Sequence, residues 1–146
     1  MLETLFWIAH GVAAIGWLPL LFGPEHSRTP VDIARWAAFA LALSYTILFF
    51  VVAPETSVLA RDYGLAGVGA FFRTPELQLL GWVHYLAFDL LAGSWIREQG
   101  HRDGVPLKVL IPCMLLTLML GPMGLVAFFA ARSVPRQARS EDDVAS

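Results

Sequence analysis

Three ionisable side chains stand inside long apolar runs of this sequence: His10, His84 and Asp89. Burying such a group in lipid costs about 2.5–3.5 kcal/mol on insertion scales, so by default it faces the interior of a bundle and serves function. An imidazole titrates near neutral pH and a carboxylate takes up protons, so the set offers general acid–base chemistry. Tyr45, Thr46, Tyr85 and Thr117 add hydroxyls in the same runs. His84 and Asp89 are five residues apart, which turns them about 140° around a helix and separates them by about 7 Å along it. That argues against a direct dyad and leaves two separate acid–base groups flanking an elongated substrate. Asp89 shares its side with Trp82, Tyr85 and Ile96, whereas His84 shares its side with Phe88, Leu91 and Trp95.

Each residue also has a plainer role. His10 would bridge two helices by a hydrogen bond. Asp89 would bond a Tyr or Thr. Gly121-Pro122-Met123-Gly124 would be a packing kink. Glu25 and His26 in the first loop, with His101 and Asp103 in the third, are weak candidates for a divalent cation. They lack His-Glu-x-x-His spacing, so no metal and no cofactor is expected, although a divalent ion is left open. Glycine-rich phosphate loops, a Gly-x-Ser-x-Gly elbow and Cys-x-x-Cys are also missing.

The elements that must carry these groups follow from hydropathy. The chain has 146 residues, 57% hydrophobic and only 15% charged, and its mean hydropathy is +0.62. A bilayer core takes roughly 20 helical residues, and four runs meet that length: 5–22, 36–53, 77–96 and 109–131. Lipid offers the backbone no hydrogen-bond partner, so each must be helical. The expected architecture is all-α: a four-helix transmembrane domain over residues 1–132 and a disordered polar tail over 133–146. Gly23-Pro24 is expected to stop the first span and Pro54 the second, while Thr74-Pro75-Glu76 reads as the start of the third. The five tryptophans fall near span ends as interfacial anchors do.

Depth counting places His10, His84 and the Gly-Pro break in one layer, roughly 10 Å below the N-terminal side. Lys and Arg divide five against five between the two sides of a four-span bundle, so orientation does not follow. The start lacks a basic signal-peptide region and a transit segment, and the expectation is direct insertion into a bacterial cytoplasmic membrane. A net charge of −2 gives no basic field for nucleic acid. Cys113 is the single cysteine and excludes an internal disulfide.

Two motifs resemble a known family. Gly81-Trp82-Val83-His84-Tyr85-Leu86-Ala87-Phe88-Asp89, continuing to Ile96, is similar to the signature helix of the abscisic-acid-deficient-4-like membrane proteins, and Thr117 to Leu125 resembles their last-helix motif. The resemblance implies a role tied to neoxanthin formation from violaxanthin. That reaction opens an epoxide and removes a ring-adjacent proton to make an allene, with no net redox change. It needs an acid for the epoxide oxygen and a base for the carbon-bound proton, and the resemblance points to the helix of His84 and Asp89.

Three functions are compatible with these residues. The first is an intramembrane isomerase of a carotenoid-like or other isoprenoid lipid, with His84, Asp89 and His10 as catalytic groups. Trp82, Tyr85, Phe88, Tyr45, Thr117 and Pro122 would contact the substrate. The second is a carotenoid-binding or accessory protein without chemistry. The third is a small transporter subunit, in which a homo-oligomer would line a path. The expected partners are membrane lipid and a carotenoid or isoprenoid molecule.

Overall fold

The computed structural model describes residues 1–56 and 64–133, with side-chain detail up to Val52 and from Gly64 onward. Among these residues there are six helices and no strand: α1 (Leu2–Phe22), α2 (Thr29–Thr56), α3 (Leu65–Phe71), α4 (Pro75–Arg102), α5 (Leu107–Leu120) and α6 (Pro122–Ser133). The expected polar tail lies outside the described residues except for Ser133, which closes α6.

Three helices are long and apolar enough to cross a membrane: α1, α2 over Thr29–Val52, and α4. Their outward faces carry large apolar side chains such as Ile15, Phe39, Ile47 and Phe50, all more than half exposed. That is the surface lipid requires and water penalises. The helix starts and stops follow local chemistry. The Gly23 N–H closes α1 on the Pro19 carbonyl at 2.8 Å, and the Thr74 hydroxyl accepts from the Leu77 N–H ahead of Pro75. Pro54 does not end α2, which continues to Thr56.

The fourth expected span does not form as one helix. The chain breaks at Gly121, whose φ of +51° and ψ of −103° lie where L side chains are strained. At 14 and 12 residues, α5 and α6 are about 21 and 18 Å long, each short of the roughly 30 Å core. They run side by side. A Cβ on Gly124 would fall 2.4 Å from the Thr117 nitrogen and 2.5 Å from the Cys113 oxygen. Arg132, at the end of α6, pairs with Asp103, just before α5, at 3.1 Å. The two helices therefore form a hairpin that enters and leaves on one side, with Gly121 at its tip.

The hairpin changes the topology. Arg73 lies at one end of the bundle, while Arg28, Arg35, Arg97, Arg102, Lys108 and Arg132 lie at the other. Among the described residues the balance is one against six rather than even. The positive-inside rule then assigns the α1–α2 loop, and the end of α6 with it, to the side from which the chain is inserted.

Packing centres on α4, which touches α1, α2 and α5. Small residues let the helices approach, as lipid-embedded bundles need. Trp17 lies across Gly93, Leu90 fills the space at Gly16, and Leu110 covers Gly100. Trp17 is thus a core residue, 4% exposed, and not an interfacial anchor. Near the α1–α2 loop, the buried Arg97 guanidinium donates to the carbonyls of Pro19, Leu20, Gly23 and Pro24. These carbonyls lie in the last turn of α1 and in the chain just after it, where helical N–H donors run out.

Candidate functional site

The α5–α6 hairpin covers only half the length of α4, and its tip stops at Asp89. The Asp89 Oδ1 lies 3.1 Å from where a Gly121 Cβ would stand. Among the described residues Asp89 has neither a hydrogen bond nor an ion pair, and it is half-buried. The amino end of α6 starts beside it, and a helix amino end carries partial positive charge. A lone carboxylate at this depth therefore faces a favourable dipole and no neutralising side chain.

Beyond the tip, the same face of α4 continues uncovered. Gln78, Trp82, Tyr85 and Asp89 follow at helical spacing along one stripe. With Phe6 and Phe72, the first three line a groove of about 510 Å³, bordered by Glu3 at its outer end. Asp89 lies one helical turn below Tyr85, about 6 Å along the axis. Trp82 and Tyr85 are 43% and 57% exposed, so their rings are open to a lipid-borne molecule.

His10 is fixed behind this groove. Its Nδ1 lies 2.8 Å from the Phe6 carbonyl, and its Nε2 accepts from the Trp82 indole N–H at 3.2 Å. With Nε2 accepting from the indole, Nδ1 is the ring nitrogen placed to donate to the Phe6 carbonyl. Phe6 packs at 4.2 Å and the Trp82 ring at 5.7 Å between centroids. His10 thus joins α1 to α4 and orients Trp82.

His84 faces elsewhere. Its ring stacks on Phe88 at 4.6 Å and tilts against Tyr45 at 5.4 Å, on the side of α4 turned to α2. It borders a second groove of about 280 Å³ with Tyr45, Phe71, Gly81 and Tyr85. Phe72 separates the two grooves by covering Gly81, where an added Cβ would be 2.5 Å from its ring. The helical count anticipated this division between His84 and Asp89. It did not anticipate the hairpin, which brings Gly121 and Pro122 to Asp89 and not to the histidine layer. Thr117 is buried at the hairpin's seam, its hydroxyl donating to the Cys113 carbonyl at 2.9 Å.

The loop residues considered for a metal do not gather around one point. Glu25 accepts from the Leu107 N–H at 3.0 Å, Asp103 pairs with Arg132, and the His26 and His101 rings stand 6.0 Å apart. Among the described residues no three His, Cys, Asp or Glu side chains are placed to share an ion.

Sequence reasoning missed Gln78, Phe6 and Phe72. Gln78 was readable, being four residues before Trp82 on the same face. Phe72 was not, because its position depends on how the segment around α3 folds back over α4. In comparisons with known proteins, the family model described as ABA DEFICIENT 4-like matches residues 4–128. No curated protein and no solved structure matches the chain.

Proposed function

Because the chain belongs to the ABA DEFICIENT 4-like family, we propose that it is an intramembrane acid–base isomerase of a carotenoid-like lipid, centred on Asp89. Membership ties the chain to the formation of neoxanthin and abscisic acid, and the three long apolar helices make it a membrane protein. Membership lends no support to the bacterial cytoplasmic membrane expected from the N-terminus.

The observation that carries the proposal is Asp89 itself. A carboxylate at mid-span has an insertion cost of about 2.5–3.5 kcal/mol, and no structural partner among the described residues offsets it. The isomerisation implied by the family moves one proton from carbon to oxygen as an epoxide C–O bond opens. One carboxyl group suffices if it acts twice. As an acid it protonates the epoxide oxygen; as a carboxylate it then removes the ring-adjacent proton and returns to its starting state. The Tyr85 hydroxyl, one turn away, would hold the oxygen, and Trp82, Phe6 and Phe72 would stack on the polyene. In this scheme His10 is a positioning residue acting through Trp82, and His84 lines the adjoining groove with Tyr45 and Phe88.

The test is expression in a carotenoid-producing host, followed by chromatography of cell pigments and of pigments bound to the purified protein. A new pigment that vanishes in Asp89→Asn, with the variant still folded, is the expected result. Full conversion by Asp89→Asn would remove the carboxyl from the reaction.

A second reading, pigment binding without chemistry, draws on a different feature. Between α1 and α2 an apolar groove of about 800 Å³ opens beside Leu5, Ile8, Leu48 and Val83, and among the described residues Glu76 is the one charged side chain that lines it. A host pigment that copurifies unchanged would favour it.

A further inference from the structure

At the end of the bundle away from Asp89, three guanidinium groups converge on one carboxylate. The Glu98 oxygens receive Arg35 at 2.5 Å, Arg102 at 2.9 Å and Arg28 at 3.8 Å. Each guanidinium carries five N–H donors in a rigid fork, and a single carboxylate offers roughly four lone-pair sites. Donors are therefore in excess. Glu98 is 18% exposed, but Arg28, Arg35 and Arg102 are 82%, 42% and 58% exposed, so the surplus N–H groups point outward. They surround a small polar depression of about 100 Å³ that His26 and His101 also line.

The charge that remains open there is positive. Glu25, which accepts from the Leu107 N–H, is offset by the charge of Arg97, itself held by four backbone carbonyls. Three arginines then face Glu98 and Asp32. The depression sits where α2 begins and α4 ends, at the boundary of the apolar spans. It also lies on the side that the six basic residues assign to the positively charged face, where anionic lipids concentrate.

We propose that this depression binds the phosphate of an anionic phospholipid headgroup, with Arg28, Arg35 and Arg102 as donors. Planar forked donors suit phosphate oxygens. Glu98 gathers the three side chains before the lipid arrives and competes with it for them. The site is independent of the chemistry proposed at Asp89.

The experiment uses the full chain in neutral detergent with phosphatidylglycerol, phosphatidylcholine or inorganic phosphate added, and reads thermal stability and lipid retention by native mass spectrometry. Phosphatidylglycerol is expected to raise the melting temperature and remain bound; the other two are not. Arg28→Gln and Arg102→Gln should each weaken retention about fivefold, the loss of roughly one surface arginine's attraction. Arg28 is so exposed that its replacement leaves folding intact. Glu98→Gln separates lipid binding from a purely structural ion cluster: it frees the arginines, so phosphatidylglycerol should bind more tightly and stabilise more. Equal stabilisation by phosphatidylcholine, or undiminished retention in both arginine variants, would overturn the proposal. A shift with inorganic phosphate alone would assign the arginines to a free ion and overturn the lipid assignment.

Discussion

Gly124→Ala tests the hairpin through the sign of its effect. An added Cβ would lie 1.9 Å from the Thr117 Oγ1, 2.4 Å from the Thr117 nitrogen and 2.5 Å from the Cys113 oxygen. Two of these three are backbone atoms, so no rotamer change clears them. α6 must move away from α5, and the contact of Phe128 with Trp95, now 5.4 Å between ring centroids, loosens with it. Overpacking of this kind costs about 1–3 kcal/mol. In an unbroken fourth span the same residue would stand about 10 Å along the axis from Thr117 and about 16 Å from Cys113. Alanine would then relieve a helical glycine and stabilise by about 1 kcal/mol. The two architectures give opposite signs. Unfolding in mixed micelles, titrated with a denaturing detergent, measures the difference. Thr117→Ala in the same chain should recover only part of the loss, because the two backbone contacts remain. A Gly124→Ala protein as stable as the parent would refute the hairpin.

Further outcomes follow from the same geometry. Cysteines introduced singly by Ser133→Cys and Arg73→Cys, in a Cys113→Ser background, should label with an impermeant maleimide from opposite sides of the membrane; labelling from one side would restore the four-span bundle. Arg97→Met should cost about 3 kcal/mol in the same unfolding assay, because carbonyls at the end of α1 lose their donor. Trp82→Phe removes the bond to His10 and should cost about 1 kcal/mol. It should also weaken pigment retention more than stability, and an unchanged pigment load would take Trp82 out of the groove's function.

Much of the molecule was legible because the membrane simplifies the code. Length and hydropathy marked α1, α2 and α4; the Thr74-Pro75-Glu76 start is where α4 begins, whereas Pro54 does not end α2. Helical rotation placed Asp89 with Trp82 and Tyr85 and apart from His84. The fourth run misled for a physical reason. Hydropathy over 109–131 cannot distinguish a helix that crosses from two half-length helices that return, since both are apolar throughout. The decision rests on Gly121, whose backbone admits the reversal, and on Gly124, whose missing side chain lets α6 lie against α5. Both glycines were in view, but a Gly-Pro-x-Gly string is also compatible with a kink. Likewise the position of Trp17 near a span end suggested an anchor, while its burial depends on Gly93 of a helix far along the chain.

A hairpin that stops at mid-depth gives the two halves of the bilayer different access to this protein. In one leaflet α4 is clasped by α5 and α6; in the other its Trp82 and Tyr85 face remains open beside Phe6. A long apolar molecule would therefore meet Asp89 by sliding in from a single leaflet, with the hairpin tip as a floor against passing further. Supply and release of that molecule would both draw on the same monolayer, so its rate of flipping between monolayers would set how much of the membrane's stock the protein can reach.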